Sequence, residues 1–173
     1  MSRVGAGEAH LTPSQRSRLQ LLAVDLVFDE QFRPEEAVSV AADLLAEGVD
    51  TPAIVELAIL PADLKVLYRC EVEELLRVAL TELGLQLPSV EEAGWVVARL
   101  IAASMIEQAV PPAVGARRLW SLMDECGYDA ELLTMLDLHE AWESSVGSDQ
   151  VRIEAEMLAA APAVIAAADR HLG

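Results

Sequence analysis

Basic residues, aromatics and cysteines are scarce in this sequence, and each shortage removes a class of function. Twelve Lys and Arg stand against 29 Asp and Glu, a formal charge of −17. That balance repels nucleic-acid phosphates and anionic lipid headgroups, so direct nucleic-acid binding and membrane attachment are not expected. Cys70 and Cys126 show no paired spacing, which argues against a disulfide framework and places the chain in a reducing cytoplasm. No basic stretch followed by a long apolar run opens the sequence, so no export signal is expected. Aromatics make up only 4% and there is no sustained alternation of apolar and polar residues, which argues against a sheet.

What is abundant is apolar helix-forming sequence: 53% of the 173 residues are hydrophobic, with alanine and leucine dominant. The expected fold class is all-α, a compact bundle of about seven to eight helices around a buried central helix at 93–110. A flexible N-terminal tail, 1–11, precedes a single helical domain, 12–173.

Local signals divide that domain. Thr12-Pro13-Ser14-Gln15 offers a capping hydroxyl, a proline suited to the first helical position and a returning glutamine, which predicts a helix over 13–29. Pro34 opens a second helix that Gly48 stops, and Thr51-Pro52 starts a short third. A long apolar pattern covers 63–83. Ser89-Val90-Glu91-Glu92 is a capping box before the 93–110 run, whose uncharged stretch between Arg99 and Glu107 is too short for a membrane span. Pro111-Pro112 should end that run, with further helices at 112–126, 130–144 and 149–171, the last kinked or divided at Pro162. Gly48-Val49-Asp50 and Gly127-Tyr128-Asp129 each sit between a longer helix and a shorter one, a weak internal repeat of 34–60 and 112–139 that helix stops and Asp caps alone also produce.

Charge is unevenly placed. Residues 19–64 hold ten acids and the single base Arg33, residues 119–169 hold eleven acids and the single base Arg152, and 65–118 are nearly balanced. Solvated helix faces account for such a pattern; so do an anionic surface for a basic partner and general adaptation to high salt. Glu47 before Gly48 and Asp124-Glu125 before Gly127 put negative charge on the negative end of a helix dipole, at a cost of about 0.3–1 kcal/mol each, which points to a use beyond the helix. Asp43, Glu47, Asp50, Asp124, Glu125, Asp129, Glu140, Trp142 and Glu143 are therefore the candidate partner-binding residues, with Trp142 as an aromatic anchor ringed by acids.

Signatures of catalysis are missing. There is no phosphate loop, nucleophile elbow or dinucleotide fingerprint. His139 and Glu143 share a helix face, but a second ligating histidine is lacking, and His10 and His171 lie near the termini, where order is poor. His139 reads instead as a partly exposed histidine beside Trp142, and both thiols read as inert. No catalytic residue, metal or cofactor is expected.

Eleven arginines against the single Lys65 suit a high-GC genome. The segments Val40–Gly48 and Thr51–Ala58 resemble small acidic helical proteins of actinobacteria without assigned activity, some of which are similar to toxin-immunity proteins. The acidic faces and the missing catalytic signatures make the expected function a non-enzymatic, cytoplasmic interaction module that binds a basic protein partner, and the resemblance implies that it is of immunity or inhibitor type. The alternatives are a helical small-molecule-binding protein or enzyme with a site near Arg99 and Tyr68, and a DNA mimic in which Asp43 and Glu47, roughly 6 Å apart by helical spacing, stand in for phosphates.

Overall fold

The computed structural model describes residues 11–28, 32–61 and 69–173. Among them are nine helices and no strand: α1 (Pro13–Val27), α2 (Pro34–Ala46), α3 (Pro52–Ala58), α4 (Arg69–Glu82), α5 (Val90–Ile106), α6 (Pro112–Trp120), α7 (Met123–Cys126), α8 (Ala130–Glu143) and α9 (Ser148–Leu172). The tail expected at 1–11 lies outside the described residues except for Leu11, which packs on apolar core. The start of the helix expected over 63–83 also lies outside them.

Both capping boxes form as their sequences dictate. The Thr12 hydroxyl accepts from the Gln15 amide while the Gln15 side chain accepts from the Thr12 amide, and Ser89 and Glu92 exchange the same pair of bonds. Hydrogen bonds from the Ser89 backbone and side chain hold the Glu92 carboxyl below the ordinary range.

The helices gather into two compact units that divide between Pro88 and Ser89. The first contains α1–α4, closed over Leu19, Leu44, Ile54, Leu57, Leu76 and Leu80. The second contains α5–α9 and buries Trp95, Met105, Leu119, Leu132, Met135 and Met157. Within it α5 packs against α6, α7 and α9. A helix stop falls at the division: Gly84 takes φ +68 and the Leu85 amide reaches back to the Leu80 carbonyl, then Ser89 restarts the chain.

Three helices depart from their expected bounds. α5 ends at Ile106, before the prolines, because Gln108 adopts φ 60 and its neighbour's amide, Ala109, bonds the Ser104 carbonyl. The helix expected over 112–126 is broken into α6 and α7 around Ser121 and Leu122. α9, by contrast, runs undivided through Pro162. That proline is exposed while Met157, Ala161 and Val164 are buried, so the missing amide falls on the face where water can serve the orphaned carbonyl. In the proposed repeat, Gly48 and Gly127 are both left-handed (φ 92 and 78). Asp129 caps α8, whereas α3 is capped by Thr51 without a side-chain bond, so Asp50 is not the cap its sequence position suggests.

Candidate functional site

The nine candidate partner-binding residues fall into three places. Asp43 and Glu47 lie on α2, followed by exposed Asp50. Glu47 faces α1: its Oε2 accepts from Arg18 at 2.5 Å and from the amide of buried Gln15 at 3.0 Å, while Asp43 sits 4.0 Å from the same guanidinium. Hydrogen bonds from Gln15 and then Arg18 keep the Glu47 carboxyl below its usual range. The acid at the negative end of α2 thus fastens α1 to α2. Replacement of Glu47 by lysine, innocuous by helix-dipole reasoning, would set two cations together and strand the Gln15 amide.

Asp124, Glu125 and Asp129 surround the α7–α8 turn. Asp124 accepts from the Tyr128 hydroxyl, which raises the phenol above its usual range. Tyr128 itself takes φ 58 after Gly127. Asp129 accepts from the Glu131 amide at 3.1 Å and lies 3.4 Å from Nε2 of His171. Hydrogen bonding with Glu131, opposed by partial burial and helped by His171, holds the Asp129 carboxyl low. His171, expected to be poorly ordered, is instead stacked on buried Trp95 at 4.4 Å and 8°, with Glu91 3.6 Å from Nδ1. Its aromatic platform and paired carboxylates give the last turn of α9 partners that proximity to a terminus does not reveal.

Beside these acids, burial and then the charges of Glu125, Glu91 and Asp129 push the Cys126 thiol up to about 12. Cys70, in contrast, is exposed. A thiol–disulfide reagent at mildly alkaline pH should therefore release one equivalent from the native protein, from Cys70, and the second only in denaturant. Rapid release of two equivalents would show that Cys126 is neither covered nor suppressed.

The third place is the C-terminal end of α8. Glu140 and Glu143 are exposed, and half-buried Trp142 lies between them in sequence, its indole N–H donating to Glu154 at 3.1 Å. His139 is buried rather than partly exposed. Its ring lies 6.3 Å from that of Trp142, nearly parallel, and 6.2 Å from that of Trp120 on α6, tilted by 37°. Nε2 is 3.5 Å from the Glu143 carboxylate, and neither ring nitrogen makes a hydrogen bond among the described residues. Sequence spacing put His139 and Glu143 on one face but gave no sign that Trp120 covers that face.

Of the alternative ligand site, Tyr68 lies outside the described residues and exposed Arg99 pairs with Asp169 at 2.8 Å. An open depression of about 390 Å³ lined by Arg77, Thr81 and Gly84–Leu87 holds Arg77 as its one ionisable side chain. Among the described residues no three His, Cys, Asp or Glu side chains are grouped to hold a metal ion, and no helix is long and apolar enough to cross a membrane. No protein-family model, curated protein or solved structure matches the chain.

Proposed function

We propose that this chain is a non-enzymatic interaction protein that binds a basic protein partner, in the manner of an immunity or inhibitor protein, through the acidic and aromatic end of α8. One observation carries the reading. Glu140 stands exposed with no ion pair among the described residues and exposed Glu143 has only the His139 imidazole at 3.5 Å, both beside Trp142 with exposed Trp120 nearby, whereas Asp43 and Glu47 pair with Arg18, Asp124 takes the Tyr128 hydroxyl and Asp129 caps α8. Exposed carboxylates steer a cationic partner, and a large aromatic surface beside them supplies the apolar contact that charge alone does not.

Charge reversal at that end tests it. Glu140→Lys with Glu143→Lys puts cations where the helix dipole favours them, at the expense of the Glu143 contact to His139, and far-UV circular dichroism should show the helices retained. Association with a partner recovered from the source cell should slow by about tenfold at low salt and lose much of its salt dependence. Unchanged association across that salt range would reduce these acids to solvated surface.

A further inference from the structure

We propose that Trp120, His139 and Trp142 form a subsite for a single arginine side chain of the basic partner, an inference that rests on the function proposed above. Its starting point is the imidazole of His139, only 4% exposed and without a hydrogen bond at either nitrogen among the described residues. An imidazole always carries at least one N–H; with the Nε2 N–H turned toward the Glu143 carboxylate 3.5 Å away, the Nδ1 lone pair is left buried without a donor, a state native structures rarely keep. Helical packing alone would be served as well by an aliphatic residue at this position.

The walls of the cluster differ in how they are held. Trp142 is fixed by its bond to Glu154. Trp120 makes no hydrogen bond among the described residues, is 45% exposed, and ends α6 just where the helix breaks before α7. Its indole is the wall that can turn aside. A ligand group entering there would meet an indole face, the edge of the imidazole and the Glu143 carboxylate already 3.5 Å from Nε2.

A guanidinium satisfies all three. It is flat and stacks on indole, it is cationic, and its several N–H groups can serve a carboxylate and an imidazole lone pair together. An ammonium has no planar face to stack, and an anion would oppose Glu140 and Glu143. Exposed Arg117, one turn before Trp120 on α6, opposes any cation, so the guanidinium must lie toward α8.

The test is titration of the full chain with a blocked Gly-Gly-Arg-Gly-Gly peptide and with its citrulline and lysine counterparts, followed by tryptophan fluorescence and by the imidazole nitrogen shifts of His139. Arginine should bind about tenfold more tightly than citrulline, which keeps the shape and loses the charge, and more tightly than lysine. Trp120→Ala and His139→Phe should each weaken arginine binding by about tenfold, and Arg117→Glu should strengthen it by about threefold. Trp120 is exposed, so Trp120→Ala keeps the test open if His139→Phe does not fold. Equal binding of arginine and citrulline, an unmoved His139 resonance, or indifference to Trp120→Ala would each overturn the subsite. If the peptide fails while Glu140→Lys with Glu143→Lys still slows the partner, the subsite alone is wrong. Arginine binding beside an unaffected partner would sustain the subsite and overturn the function proposed for the acidic face.

Discussion

Replacing Trp95 by alanine is expected to destabilise the chain by about 3–5 kcal/mol, the range for deleting a large buried aromatic. Total stabilities are about 5–15 kcal/mol, so this one side chain carries a large share. Trp95 has no exposed surface, and its ring is the platform on which His171 stacks at 4.4 Å. From that platform the end of α9 is drawn down on several sides: His171 between Asp129 and Glu91, Arg170 to Glu131 at 2.8 Å, and Asp169 to Arg99 at 2.8 Å. These pairs are largely exposed and individually worth little, so they depend on the ring that positions them. Amide exchange in the last turns of α9 should accordingly accelerate in Trp95→Ala beyond the global loss. Trp95→Phe keeps a flat surface and removes an indole N–H that has no hydrogen-bond partner among the described residues, so its cost should be only about 1–2 kcal/mol. Denaturant midpoints and site-resolved exchange separate the two effects. A loss below about 1.5 kcal/mol for the alanine variant, or an α9 terminus no faster than the rest, would refute this account of the clasp.

Much of the helix grammar was legible because its causes are local. Thr12 with Gln15, Ser89 with Glu92, and the Gly48 and Gly127 stops each act through bonds spanning a few residues, so neighbouring letters suffice to read them. The break between α6 and α7 was not legible. Leu119, Leu122, Met123 and Cys126 are all buried and keep regular helical spacing straight across it, with neither proline nor glycine to mark the interruption. Proline at 162 misled in the opposite direction. Its effect depends on whether the orphaned carbonyl meets protein or water, which only the packing of α9 decides.

The candidate site divides along the same line. Helical spacing identified Glu140, Trp142 and Glu143 as an acidic, aromatic helix end, and the two carboxylates are exposed there while Trp142 is half-buried. It could not identify what covers His139, because Trp120 comes from another helix. Glu47 shows the converse. Its unfavourable place at the end of α2 rightly signalled a use elsewhere, yet that use is a tie to Gln15 and Arg18 within the chain. Local energetics can show that a residue is misplaced for its own helix; naming the beneficiary takes the tertiary fold.

Two mid-helix glycines carried a signal of that kind, and Gly115 should give a change of sign. Glycine in a helix interior costs about 1 kcal/mol relative to alanine, so substitution in isolation ought to stabilise α6. A Cβ at Gly115, however, would stand 2.3 Å from Sδ and 2.4 Å from Cγ of Met105, a fully buried residue of α5. Those atoms lie midway along the side chain, so the whole methionine must find another rotamer in a filled core, and such overpacking costs about 1–3 kcal/mol. Gly115→Ala should thus be net destabilising by about 1–2 kcal/mol, and Gly115→Val, with two further methyls and little propensity gain, by about 3 kcal/mol. Gly94 should be more forgiving, since its Cβ would meet the terminal Cys126 Sγ at 2.9 Å and Glu125 Cβ at 3.2 Å. The decisive comparison is made in a Met105→Ala background. With the methionine gone, the same Gly115→Ala change should stabilise by up to about 1 kcal/mol, because propensity remains and the obstruction does not. If Gly115→Ala destabilises equally in both backgrounds, Met105 is not the obstruction and the close approach of α5 to α6 does not explain the glycine.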